Sequence, residues 1–430
     1  TGVQTCALPI CNNTGAAAGD SYANIGGLVG SFFADILIGD GQDNRIVDSM
    51  LTYSYEYYSG SFSLFGKDDD WIDGGAGNDL IQTGAGNDTV VYDAADTQVI
   101  DYGDRDADGN SINTFDTVDA SSSAGPVDIN LNNNYTGFER IIGSAHDDTL
   151  TGNDADNILE GGAGADALNG GDGSDTASYV GSAAAVTVDL GLGTANGGDA
   201  EGDTLSSIEN LVGSANADTL TGDSYDNVLE GGAGADALNG GDGSDTSSYA
   251  GSSAAVTVNL GAGTASGGDA TGDTFTSIEN LVGSSFNDTL TGDAGDNFIE
   301  GAGGADVMAG GSGIDTYVYK SVSESVEGMM DTISGFVWGS GGDVIDCSVA
   351  LQANSHTDLY YYTTAFASFA QIKAEAEKQM WYGAEIFAAT DGTDTYVFMI
   401  APDDDKYDAG IDMAVKLAGV NDLSALSADN

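Results

Sequence analysis

Aspartate recurs at nine-residue intervals along this chain, each time closing a glycine-rich turn. Gly161 to Ser178 reads GGAGADALN-GGDGSDTAS, two units of the pattern G-G-x-G-x-D-x-U-x with U apolar. Gly161, Gly162 and Gly164 have no Cβ, so a tight bend with φ > 0 costs them little. Such a bend directs carbonyl oxygens inward, and Asp166 adds a carboxylate at the sixth place. Carboxylate plus main-chain carbonyl is an all-oxygen donor set. It suits Ca2+, which tolerates variable coordination, better than Mg2+, which demands an octahedron and gives up water reluctantly. The chemistry these residues point to is cation binding.

The elements that must hold such turns follow from the spacing. Three residues remain after each turn, and Ala167-Leu168-Asn169 can form only a very short strand with Leu168 facing a core. Two nonapeptides then make one coil, and turns 18 residues apart stack at roughly 4.8 Å. Asp148 is thereby expected above Asp166, and Asn157 above Asp175. Carboxylates that close repel by roughly 1 kcal/mol in water, and by more when desolvated. A cation between the turns removes the repulsion. Complete G-G-x-G-x-D hexapeptides begin at Gly74, Gly161, Gly170, Gly231, Gly240 and Gly310, with a near match at Thr83. A disordered Gly/Asp-rich linker would not keep this register.

The candidate ligands are read from those positions. In the first array they are Asp70, Gly75, Gly77, Asp79 and Asp88. From Gly143 they are Asp148, Asn157, Gly162, Gly164, Asp166, Gly171, Gly173 and Asp175. From Gly213 they are Asp218, Asn227, Gly232, Gly234, Asp236, Gly241, Gly243 and Asp245. From Gly283 they are Asp288, Asn297, Asp306, Gly311, Gly313 and Asp315. The uncharged Asn in each set predicts a weaker site. Asp104, Asp106 and Asp108 form a D-x-D-x-D-G run that resembles the start of an EF-hand loop. Its twelfth place is Phe115 rather than Glu, so an extra calcium loop and a solvated acidic turn both stay open.

These nonapeptides resemble the RTX (hemolysin-type) calcium-binding repeat. The resemblance implies several Ca2+ ions held between successive stacked turns. It implies a mainly β chain, a right-handed parallel β-roll or β-helix solenoid with a small α/β C-terminal cap. Residues from about 320 resemble the C-terminal region of type I-secreted RTX proteins, which caps the solenoid and carries an uncleaved export signal. The implied partners are calcium ions and, during export, the type I secretion machinery. The implied location is extracellular or at the cell surface.

Composition agrees with a binding protein and excludes other classes. The 430 residues include 69 acidic and 9 basic side chains, for a formal charge of −60. Nucleic acid needs Lys and Arg against its phosphates, so it is not an expected partner. That charge opposes compaction through self-repulsion, yet 41% of residues are hydrophobic and could form a core. The combination points to folding coupled to metal binding. Cys6, Cys11 and Cys347 form no disulfide framework, and no apolar run approaches a membrane span. His146 and His356 lie in no H-E-x-x-H motif, and there is no G-x-S-x-G elbow. No catalytic activity is expected within these residues. Two alternatives are the C-terminal module of a larger secreted hydrolase, such as a serralysin-like protease with its catalytic domain upstream, and a surface adhesin or matrix protein.

The order along the chain is as follows. Residues 1–10, TGVQTCALPI, resemble a translated sequencing adapter and are set aside, which places the natural N-terminus upstream. Residues 11–142 hold a first array, interrupted by a Tyr-rich insertion (Tyr53, Tyr55, Tyr57) and the acidic run. Copies of 70 residues occupy 143–212 and 213–282, the last nonapeptides 283–319, and the cap 320–430. Within a copy, Val186 to Leu190 and Ser207 to Val212 alternate as strands and are expected to continue the solenoid as wider coils. The acidic turn Gly197 to Asp203 between them is a further cation-site candidate. In the cap, Ser368 to Met380 predicts a helix, and strands are expected over 385–388, 394–400 and 411–417.

Overall fold

The computed structural model describes residues 115–133, 135–326, 329–337, 341–346, 386–399 and 413–420. It also describes shorter pieces at 28–29, 36–38, 45–47, 69, 71–73, 80–83, 86–94, 96, 98–101, 359–362 and 371–372. They fall into two units, Thr1–Asn210 and Leu211–Asn430.

In the first unit, three-residue strands alternate between two walls. Thr149–Thr151 pairs in parallel with Asp128–Asn130 on one side and Ala167–Asn169 on the other, Leu150 opposite Leu168. Across the coil, Ile158–Glu160 pairs in parallel with Arg140–Ile142 and Thr176–Ser178. The strands are short because the preceding turn consumes six of every nine residues. Only the middle residue of each points inward, and Leu150, Leu159, Leu168 and Ala177 are buried. Burying one such leucine contributes about 1.5–3 kcal/mol. A parallel sheet earlier in the chain joins Arg45–Val47, Leu80–Thr83, Gln98–Asp101 and Tyr135–Thr136. Parallel strands linked by six-residue turns make a β-roll.

The spacer departs in part from the expected coil. Thr204–Ser206 does rejoin the wall, parallel to Ala167–Asn169. Thr187–Asp189 and Thr194–Asn196, however, form an antiparallel hairpin. Asp189 Oδ1 accepts the Leu192 N–H at 2.8 Å, and Gly193 takes φ +63°. That tight reversal sends the chain back on itself instead of across the coil.

The second unit repeats the pattern. Thr219–Thr221, Ala237–Asn239 and Thr274–Thr276 stack in parallel. So do Val228–Glu230, Thr246–Ser248, Asn280–Val282, Phe298–Glu300, Thr316–Val318 and Val344–Asp346. A third run, Thr257–Asn259, Thr289–Thr291, Val307–Ala309 and Asp331–Ser334, ends against Met413–Ala418. Antiparallel strands Thr395–Met399 and Ile386–Thr390 extend that edge. Leu290, Met308 and Ile333 of the roll share one core with Met413, Val415 and Leu417. The C-terminal strands thus cover an edge that would otherwise expose unpaired backbone and bare core. Of the expected cap helix, Gln371 and Ile372 are described, and both are helical. Among the described residues no helix is long and apolar enough to cross a membrane. The adapter-like segment, the Tyr-rich insertion and the Asp104, Asp106 and Asp108 run lie outside the described residues.

Candidate metal centre

Parallel stacking arranges the sixth-place side chains as ladders. In the first unit, the Asp148 N–H donates to Asp166 Oδ1 at 2.7 Å, and the Asp166 N–H to Asp203 Oδ1 at 2.8 Å. On the opposite edge, the Asn157 N–H donates to Asp175 Oδ1 at 2.7 Å, and the Asp175 N–H to Glu209 Oε2 at 2.9 Å. The second unit has the same rungs. Asp218 donates to Asp236 and Asp236 to Asp273, while Asn227 donates to Asp245 and Asp245 to Glu279. Further along, Asp288 donates to Asp306, Asp306 to Asp331 and Asn297 to Asp315. Each side chain is therefore fixed, through one oxygen, by the backbone of the turn stacked before it.

The other oxygen divides the turns into two kinds. Where the second residue of the turn is Ser, its N–H closes on the sixth-place carboxylate. Ser144 does so to Asp148 Oδ2, Ser214 to Asp218 Oδ2 and Ser284 to Asp288 Oδ2, each at 2.5 Å. Asn153, Asp223 and Asp293 likewise donate to Oδ1 of Asn157, Asn227 and Asn297. Where the second residue takes positive φ, this closure is missing. Gly162 (+88°), Gly171 (+116°), Gly232 (+81°), Gly241 (+108°), Gly311 (+114°) and Ala302 (+60°) occupy that place. In five of those turns Oδ2 of Asp166, Asp175, Asp236, Asp245 and Asp306 is buried with no hydrogen-bond donor, as is Oδ2 of Asp331 outside the nonapeptides.

Main-chain carbonyls approach the same turns. A Cβ built on Gly162 would run into the Ser144 carbonyl oxygen, and one on Gly164 would lie 2.6 Å from that of His146. Gly232 and Gly234 face the Ser214 and Asn216 carbonyls in the same way. This is why glycine stands there: the neighbouring turn's oxygens fill the space a side chain would need.

The electrostatics are those of anions taken out of water. Burial, followed by the neighbouring carboxylates, pushes Asp166 and Asp236 up to about 7 from 3.8. Burial likewise raises Asp175 and Asp245 to about 6 and Asp306 to about 8. Backbone N–H donors oppose these shifts without cancelling them. Among the described residues no three His, Cys, Asp or Glu side chains gather to hold a metal. A site here would draw most of its ligands from the backbone, with a carboxylate from each turn. Hard, anionic, donor-free oxygens beside carbonyls fit Ca2+.

Four segments, 66–98, 142–177, 212–246 and 282–317, match the RTX calcium-binding nonapeptide repeat. The chain carries RTX calcium-binding repeats. A comparison with curated protein sequences finds no match. Among solved structures, the chain is similar to the solution structure of the AlgE6R3 subunit from the Azotobacter vinelandii mannuronan C5-epimerase. The likeness is 21% in identity and covers 50% of this chain and 77% of that one, at a TM-score of 0.21.

The RTX turns place the sequence-derived candidates as follows. From Asp148 to Asp315 all lie on the ladders or in the turns beside them. The Asp88 N–H donates to Asp116 Oδ1 at 2.7 Å. Asp70, Gly75, Gly77 and Asp79 lie outside the described residues. The acidic turn ending at Asp203 does not stand open as a separate cation site. Asp203 Oδ1 takes the Asp166 N–H, and Oδ2 accepts the Tyr179 hydroxyl at 3.2 Å. Asp273 is engaged in the same way by Asp236 and Tyr249. Glu209, Glu279 and Asp331 also join the ladders without occupying a nonapeptide. One signal could have revealed two of the spacer aspartates: Asp203-Thr204 and Asp273-Thr274 repeat the Asp-Thr step of Asp148-Thr149 and Asp175-Thr176.

Proposed function

We propose that this is a secreted calcium-binding protein whose β-roll folds when extracellular Ca2+ fills its stacked turns. The reading is carried by one observation: buried carboxylate oxygens without donors, set beside main-chain carbonyls that only glycine admits. The ions would be held by Asp166, Asp175, Asp236, Asp245 and Asp306 together with carbonyls of the adjoining turns. Ca2+ supplies the positive charge that offsets the stacked carboxylates. At a charge of −60, the calcium-poor chain repels itself and stays unfolded. Extracellular modules bind Ca2+ at about 10⁻⁴ to 10⁻³ M, and an ion that binds only the folded form stabilises it by mass action. The function proposed is binding, with export through a type I system and the C-terminal strands as the cap. Circular dichroism during a calcium titration, with magnesium as control, tests it. The β-signal should rise with calcium in that range and not with magnesium. A chelator that left both the β-signal and the heat resistance untouched would overturn it.

A further inference from the structure

We infer that a pocket in the first unit binds a small organic cation, a primary ammonium group on a short carbon chain. The pocket holds about 160 Å³, and Tyr92, Asp93, Asp96, Asp128, Asn130 and Tyr135 are among the residues that line it. None of these aspartates stands at the sixth place of a nonapeptide, so the inference is separate from the calcium reading above.

Three segments build the pocket. Tyr135 opens the strand Tyr135–Thr136 and pairs with Val99. Its ring is set edge-on to buried Phe138, with centroids 6.1 Å apart, and lies 6.2 Å from the ring of Tyr92. The Tyr92 N–H donates to the Asp119 carbonyl at 2.8 Å, and the Asp96 N–H to the Asp93 carbonyl at 3.1 Å. The second of these bonds turns the chain between the two aspartates. Asp128 and Asn130 come from the strand Asp128–Asn130.

Two independent features point to a cation. The first is charge. Asp93, Asp96 and Asp128 line the pocket, and among the described residues no Lys, Arg or His does. Asp96 is 2% exposed, so its carboxylate sits where water screens little and an opposite charge is attracted most. The second is the Tyr135 hydroxyl. Tyr135 is 4% exposed, yet among the described residues its hydroxyl has no hydrogen-bond partner, whereas a buried phenol ordinarily finds one. Burial, followed by Asp96, Tyr92 and Asp93, raises its pKa above the ordinary 10. It therefore stays a neutral phenol, its oxygen open to a donor.

A primary ammonium answers both features. Its three N–H groups can reach carboxylates and the phenol oxygen, and its charge is attracted to tyrosine rings. The volume is small beside the roughly 300–1,000 Å³ of drug-sized sites, so the carbon chain is short. A bare Ca2+ would draw its oxygen ligands in to about 2.3–2.6 Å and leave most of the pocket unfilled. A neutral polyol would leave three carboxylate charges unmatched, and an anion would be repelled.

The test follows saturation transfer from the full-length chain to butylammonium by proton nuclear magnetic resonance, in saturating calcium, with butanol as the uncharged counterpart. Wild type should transfer to butylammonium and not to butanol. Asp93→Asn and Asp128→Asn should each weaken butylammonium binding by about tenfold. Tyr135→Phe keeps the ring and its packing and should weaken binding by about fivefold. Asp154→Asn removes an exposed carboxylate that does not line the pocket and should change nothing. All variants are compared at the wild-type far-ultraviolet signal, and if one fails to fold the other two pocket variants decide. An equal fall at Asp154→Asn would mark diffuse attraction to the acidic chain and overturn the inference. So would equal transfer to butanol. Absence of transfer to butylammonium, with one calcium ion fewer bound by Asp128→Asn, would make the pocket a metal site and overturn it too.

Discussion

Asp236→Asn should change stability in opposite directions with and without calcium. The side chain keeps its shape, and its Oδ1 can still accept the Asp218 N–H. What changes is charge. Burial holds Asp236 at about 7 against its ordinary 3.8, so at pH 8 the folded chain carries a charge that is cheaper to hold unfolded. Each tenfold change in proton affinity corresponds to about 1.4 kcal/mol. The new amide donor, buried where no acceptor was needed before, reduces the gross figure. A net relief of about 1 kcal/mol is expected when calcium is chelated. With calcium at a hundred times its dissociation constant, a site contributes about 2.7 kcal/mol, and the variant forfeits it. Less the relief of about 1 kcal/mol, which the variant keeps, the net loss is about 1.7 kcal/mol, and at roughly 2–4 °C per kcal/mol for a unit of this size the melting temperature in calcium should fall by about 3–7 °C. In chelator, folding is driven by trimethylamine oxide, which strengthens burial, and the variant should need less of it. The pH dependence has a definite sign. A buried acid with a raised pKa takes up protons on folding. The chelated wild type should therefore gain stability as pH falls from about 8 toward the ordinary carboxylate value, and the variant should gain less. A change of the same sign in calcium and in chelator would refute the reasoning.

Two further predictions concern the scaffold. Gly162→Ala places a Cβ against the Ser144 carbonyl at φ +88°. The backbone cost is about 1–2 kcal/mol and the crowding adds about 1–3 kcal/mol. Chemical denaturation should show that loss, whereas Gly125→Ala, with nothing within 4 Å, should stay within about 0.5 kcal/mol of wild type; equal effects would contradict the close approach of the turns. In the cap, Lys416 Nζ lies 2.8 Å from Asp394 Oδ2, and this partner lowers Asp394 below 3.8. The pair's contribution should be present above about pH 4 and vanish as pH falls further. A double-mutant cycle with Asp394→Asn and Lys416→Met should give about 0.2–1 kcal/mol at neutral pH and nothing at strongly acid pH.

The coil was legible because its causes are local. Six residues of turn and three of strand leave one inward position, and Leu150, Leu168, Leu220 and Leu238 occupy it in every nonapeptide where they occur. The strands at 386–390, 395–399 and 413–418 were readable from alternation in the same way. The hairpin at 187–196 was not. Its strands alternate like those of a wide coil, and only the reversal at Leu190 to Gly193 sets their direction.

Periodicity alone establishes that aspartates 18 residues apart share an edge, that glycine must stand where carbonyls crowd, and that the chemistry is cation binding by oxygen. It cannot say which carboxylates are still free to bind. Asp166 and Asp203 are 37 residues apart and Tyr179 and Asp203 are 24 apart, and they meet only once the coils have stacked. Asp148 and Asp166 look equivalent by their place in the nonapeptide. They differ because one turn runs its second amide toward the carboxylate and the other, at positive φ, does not. That difference is settled by the direction of a peptide plane, which depends on the packed turn above as much as on the residues within it.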